Sequence, residues 1–119
     1  IQIKNESLKN IKKIFLQKNK VIYAENIYWV FGVVIKKGFN LNRNSIMKKL
    51  FDKGVDTRPF FVPMHRQPIL IKRKVFKKKL DLKNSEFLSE NGFYLPSGLG
   101  ITNKQISYVC NELKKILEK

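Results

Sequence analysis

The chain has little that could be cross-linked or hold a metal. Cys110 is its only cysteine and His65 its only histidine among 119 residues, so an internal disulfide is impossible and no Cys/His spacing suits a metal ion. A reducing compartment, the cytoplasm, is the expectation. Long apolar runs are missing too: the longest, residues 27–35 (IYWVFGVVI), falls far short of the roughly 20 residues that span a bilayer. The opening IQIKNESLKN lacks the apolar segment of a secretory signal, and Ile1 in place of methionine suits a fragment or a trimmed chain. Acids are scarce as well, nine Asp and Glu against 25 Lys and Arg, for a net charge of +16. Such a balance raises nucleic acid as a partner. However, the lysines are spread over the whole length, and only residues 71–79 (IKRKVFKKK) are concentrated. That run matches no nucleic-acid module and reads as a solvated basic loop, with a basic nucleic-acid-binding module as the competing reading.

What is present is a globular composition, 43% hydrophobic and 12% aromatic. A chain of this length makes one domain, here 1–119, and buries roughly two thirds of its unfolded surface. Residues 1–10 read as the end of a helix, with Ile1, Leu8 and Ile11 at spacings that share a face. Residues 13–25 give an extended segment around the polar turn at Lys18–Lys20. IYWVFGVVI then has the β-branched, aromatic character of a central strand covered on both sides. Within it Gly32 marks a close approach, and Trp29, which could line a ligand site, fits the core better. Asn42 with Ser45 predicts the start of a helix that carries Ile46, Met47, Leu50 and Phe51, and Gly54 ends it. A strand over residues 55–61 follows. Further on, a short helix over 85–91 is stopped by Gly92, and Phe93–Leu95 is a brief strand. Thr102 and Gln105 form a capping box for a last helix whose apolar face runs from Ile106 to Leu117 through Cys110.

The stretch VDTRPFFVPMHRQP, residues 55–68, has the most chemistry. Pro59, Pro63 and Pro68 stiffen it and exclude helix, leaving a rigid loop. On it sit Arg58, Phe60, Phe61, His65 and Arg66, which suit an anionic ligand with a flat or ring-shaped apolar part. The alternative is that the phenylalanines are core and the cations merely solvated. Ser97 beside Pro96 and Gly98 offers backbone donors to an oxyanion, or is plain turn chemistry.

The run GVDTRPFFVPMHRQP, with NIYWVFGVV before it and GFYLPSGLGITNKQISYVCNEL after it, resembles the C-terminal domain of the DegT/DnrJ/EryC1/StrS family over residues 14–118, in its perosamine synthase branch. The resemblance implies an α+β fold, a small and mostly antiparallel sheet packed by helices, like the small domain of fold-type I aminotransferases. It further implies that residues 1–10 end an inter-domain helix and that 69–83 is a basic loop. In activity it implies a pyridoxal-phosphate-dependent aminotransferase that passes an amino group from glutamate to a nucleotide-linked keto sugar of polysaccharide synthesis, as a homodimer, or a sugar dehydratase of the same family. The Schiff-base lysine, the acid on the pyridine nitrogen and the phosphate cup belong to a preceding domain, which makes this part catalytically silent alone. Carried to matching positions, His65 is the expected hydrogen-bonding contact to the sugar or its phosphate, the alternative being a histidine that merely ties the loop together. Arg58, Phe60 and Phe61 line the cleft beside it, joined by Arg66 and Ser97.

Overall fold

A computed structural model describes residues 2–76 and 80–118. In chain order the elements are α1 (Gln2–Leu8), β1 (Ile14–Leu16), β2 (Lys20–Val21), β3 (Ala24–Glu25), β4 (Phe31–Ile35), α2 (Arg43–Phe51), β5 (Arg58–Pro59), a 3-10 turn (Met64–Arg66), α3 (Pro68–Lys72), α4 (Lys83–Asn91), β6 (Gly92–Leu95) and α5 (Asn103–Glu118). Four strands make an antiparallel sheet in the order β1-β4-β6-β5, and β2 with β3 forms a separate small hairpin. The architecture is the expected helix-packed α+β one. Lys77, Lys78 and Lys79 of the basic run lie outside the described residues, as do Lys119 and Ile1, the latter expected on the face shared by Leu8 and Ile11.

Side chains alternate across a strand, and that rule builds the core. Phe31 pairs with Leu95, Val33 with Phe93 and Leu16, and Ile35 with Ile14, so one sheet face is a continuous apolar surface. Val109, Cys110, Leu113 and Leu117 of α5 cluster with it, joined by Leu8 of α1 and by Ile46 and Leu50 of α2. Each fully buried side chain contributes about 1.5–3 kcal/mol. Cys110 is a packed apolar residue, and burial pushes its thiol pKa up.

The helix ends follow the signals in the sequence. Asn42 Oδ1 accepts the Ser45 amide at 3.1 Å. Gln105 Oε1 accepts the Thr102 amide at 2.8 Å, while Thr102 Oγ1 accepts that of Gln105 at 3.3 Å. After α2, Gly54 takes φ +74, Val55 donates to the Leu50 carbonyl at 3.0 Å and Gly54 to that of Phe51 at 2.8 Å. That pair of bonds is the Schellman closure that glycine permits.

Three expectations need correction. The central strand starts at Phe31, because Tyr28 adopts φ +49 and turns the chain, with its amide held by Asn26 Oδ1 at 2.8 Å. Trp29 consequently leaves the core and is 76% exposed. The strand expected over 55–61 shrinks to Arg58–Pro59 at the sheet edge, since Pro59 has no amide for a ladder. Finally, Pro68 does not close a rigid loop but opens α3 at its first position, where a missing N–H costs nothing, so the basic loop at 69–83 begins as helix.

Candidate functional site

Opposite the core, the sheet carries Gly32, Tyr94 and Arg58 in one row, because Gly32 pairs with Tyr94 and Tyr94 with Arg58. Phe60, two residues beyond Arg58, lands on this face, and its amide donates to the Gly92 carbonyl at 3.0 Å. Its ring lies over the two glycines: a Cβ on Gly32 would sit 2.8 Å from it and one on Gly92 only 2.4 Å. Tyr94 stacks on the same ring with centroids 4.6 Å apart, and Phe61 meets Tyr94 at 6.1 Å, tilted by 59°. Sequence spacing therefore builds an aromatic ledge directly on the sheet.

Beside the ledge opens a groove of about 670 Å³ between the turn at Trp29–Val30, β5 and the end of β6. Trp29, Phe60, Phe61 and Tyr94 form its apolar walls, and Arg58 and Ser97 also line it. The Arg58 side chain is 80% exposed and its ion pair to Asp56, at 3.5 Å, is solvent-screened, so the guanidinium can turn toward an anion at little cost. Behind the groove, Lys4 of α1 is 1% exposed, donates to the Pro96 carbonyl and sits 5.2 Å from the Phe31 ring centre; burial lowers its pKa.

Four of the expected site residues, Arg58, Phe60, Phe61 and Ser97, thus converge on one groove. His65 and Arg66 do not line it. The His65 side chain is 5% exposed and its Nε2 donates to Glu86 Oε1 at 2.8 Å, while Arg66 Nη1 donates to Glu90 Oε1 at 2.7 Å. The Glu90 hydrogen bond raises the Arg66 pKa. Sequence reasoning missed Trp29, assigned to the core, and Tyr94. The alternation in β6, with Phe93 and Leu95 inward, could have exposed Tyr94. A second hollow of about 710 Å³ lies beside α1 and β1, but its Asn5, Asn19 and Tyr28 satisfy one another, Asn5 Nδ2 donating to Asn19 Oδ1 at 2.7 Å and to Tyr28 Oη at 3.0 Å.

Known proteins resemble this chain in sequence and in fold. Residues 1–114 match the DegT/DnrJ/EryC1/StrS aminotransferase family. GDP-perosamine synthase of Vibrio cholerae is 31% identical over 87 residues, covering 73% of this chain and 23% of the enzyme. The chain thus spans about a quarter of the length of that curated relative. Among solved structures, S. venezuelae DesV in complex with a ketimine intermediate superposes with a TM-score of 0.83 at 18% identity, over 99% of this chain and 30% of DesV. The E. coli GDP-4-keto-6-deoxy-D-mannose-3-dehydratase with bound hydrated PLP gives 0.73 at 20% identity, over 95% and 28%. Strand order, helix packing and a family match that covers nearly the whole chain converge, and the chain belongs to the DegT/DnrJ/EryC1/StrS aminotransferase family.

Proposed function

We propose that this chain is the C-terminal portion of a pyridoxal-phosphate-dependent nucleotide-sugar aminotransferase, a cytoplasmic homodimer that passes an amino group from glutamate to a keto sugar used in polysaccharide synthesis. One observation carries the reading. A chain of this family presents a groove walled by Trp29, Phe60, Phe61 and Tyr94 with Arg58 beside them. Flat aromatic faces take a nucleobase or the apolar face of a sugar, and a guanidinium takes a phosphate in a fork of two hydrogen bonds. The curated relative named GDP-perosamine synthase supports a nucleotide-linked substrate.

Pyridoxal phosphate, when bound, supplies the electron sink for amino transfer. The residues of this groove do not fit that cofactor, which needs a lysine to attach it and an acid at its ring nitrogen. Among the described residues lining the groove there is no lysine, and Asp56 faces Arg58. Lys4, the buried lysine, is committed to Pro96 on α1's side of the sheet. Attachment and proton transfer therefore fall to the rest of the enzyme, and the residues of this chain bind and orient the substrate. Arg58 and Ser97 contact its polar groups while the aromatic ledge excludes water from the ring face.

The complete enzyme tests this. Stacking one ring is worth roughly 1–3 kcal/mol, so Phe61→Ala should raise KM for the nucleotide keto sugar about tenfold and leave the glutamate half-reaction unchanged. An unchanged KM rejects the groove as the substrate wall. Formation of a deoxygenated sugar in place of an amino sugar would select the dehydratase reading, and the isolated 119-residue chain should transfer no amine.

A further inference from the structure

Between Phe60 and α3 the chain has no strand partner among the described residues, yet it carries Phe61 and Val62, two residues of the groove wall. At its start, the Phe60 amide is pinned to the Gly92 carbonyl at 3.0 Å. At its end, His65 and Arg66, neighbours in the 3-10 turn, reach two acids four residues apart on α4, Glu86 at 2.8 Å and Glu90 at 2.7 Å. Residues four apart share one helix face, so α4 offers both carboxylates to the same turn. A carboxylate only accepts, so His65 Nε2 carries its proton toward Glu86. Inside the segment, Gln67 Nε2 donates to the Val62 carbonyl at 2.9 Å and the Arg66 amide to that of Pro63 at 2.9 Å, which makes residues 62–67 a closed unit. The helix that holds the far end runs directly into β6, whose Tyr94 stacks on Phe60. One helix and strand therefore grip the segment at both ends.

We infer that His65 and Arg66 are positioning residues: through Glu86 and Glu90 they clamp the 61–67 segment onto α4 and so fix Phe61 and Val62 at the mouth of the groove. The inference rests on the groove being the substrate wall only for its kinetic consequence, since the clamp itself is a property of the free chain. His65 is nearly enclosed, whereas the Arg66 and Glu90 side chains are 47% and 59% exposed. The inner pair thus supplies a geometric lock, and the outer pair, screened by water, closes over it.

The test follows amide hydrogen exchange in the chain and in the double variant Glu86→Gln/Glu90→Gln, without ligand. Residues 61–67 should exchange at least about threefold faster, with β4 and α5 unchanged. Exchanging the outer charges, Arg66→Glu with Glu90→Arg, should return the slow exchange that Glu90→Arg alone loses. Unchanged exchange at 61–67, a rise spread evenly over the chain, or failure of the charge exchange to restore protection would each overturn the clamp. In the complete enzyme, the same double variant should raise KM for the nucleotide keto sugar with little change in kcat. Faster exchange at 61–67 with an unchanged KM would uphold the clamp and count against the groove as substrate wall.

Discussion

Replacing Gly32 with alanine should destabilise the chain, and should do the opposite once Phe60 is gone. A Cβ at residue 32 would lie 2.8 Å and 3.2 Å from two carbons of the Phe60 ring, with its next neighbour, in the Gln17 side chain, at 3.6 Å. Forcing a methyl into such a contact costs about 1–3 kcal/mol, because the ring must leave its stack on Tyr94. Gly32 does not need a positive φ, so alanine also removes backbone freedom from the unfolded chain, which stabilises by about 0.4–1 kcal/mol. In the wild-type background the clash wins; in Phe60→Ala only the entropic gain remains. The change in sign is the signature, and urea unfolding of the four members of the cycle reads it as a coupling of roughly 1–3 kcal/mol, the clash alone, because the entropic gain is common to both backgrounds. Gly92→Ala is the control, since its Cβ would also meet the Leu88 carbonyl oxygen at 2.6 Å, a clash that removal of Phe60 leaves in place. If Gly32→Ala had the same effect in both backgrounds, the ring would not be lying on the sheet and the ledge would have to be rebuilt.

Gly54→Ala should cost about 1–2 kcal/mol in the same assay, because φ +74 is unfavourable for any residue with a Cβ and the Schellman bonds depend on it. For Lys4 the prediction concerns pH. Burial holds its folded pKa below 10.5, so in the window between the folded value and 10.5 the unfolded chain binds the extra proton and unfolding free energy rises with pH. Cys110, whose folded pKa is raised, works the other way above pH 9. The difference in stability between the wild type and Lys4→Met should therefore shift toward the wild type as pH rises from 8 to 10.5, and a flat difference curve would refute the buried amine.

Much of the fold was legible because its signals are local. Asn42, Gly54, Thr102 and Gln105 announce helix ends by side-chain and backbone chemistry that needs no tertiary partner, and α5 shows its apolar face at helical spacing. Trp29 falls outside the core because Asn26, two residues before Tyr28, holds the Tyr28 amide in an Asx-type turn, a local signal that the strand-like character of IYWVFGVVI masks. Pro68 carries the same stiffness at a loop's end and at a helix's first position, and only its place in the fold makes it a start. Within the site, proximity in sequence put Arg58, Phe60, Phe61, His65 and Arg66 in one group. The fold divides them, since the acids that claim the last two lie on α4, over 20 residues further on.

The brevity of β5 has a consequence for solubility. A flank strand with free amides recruits strands from other molecules, and a molecule that displays bare rings beside such a flank would be prone to stack into fibrils. Here the flank offers two residues, one of them the imino acid Pro59, so there is almost no ladder to extend. The protein can leave Phe61 and Trp29 bare to water because the seam next to them is closed to intruders.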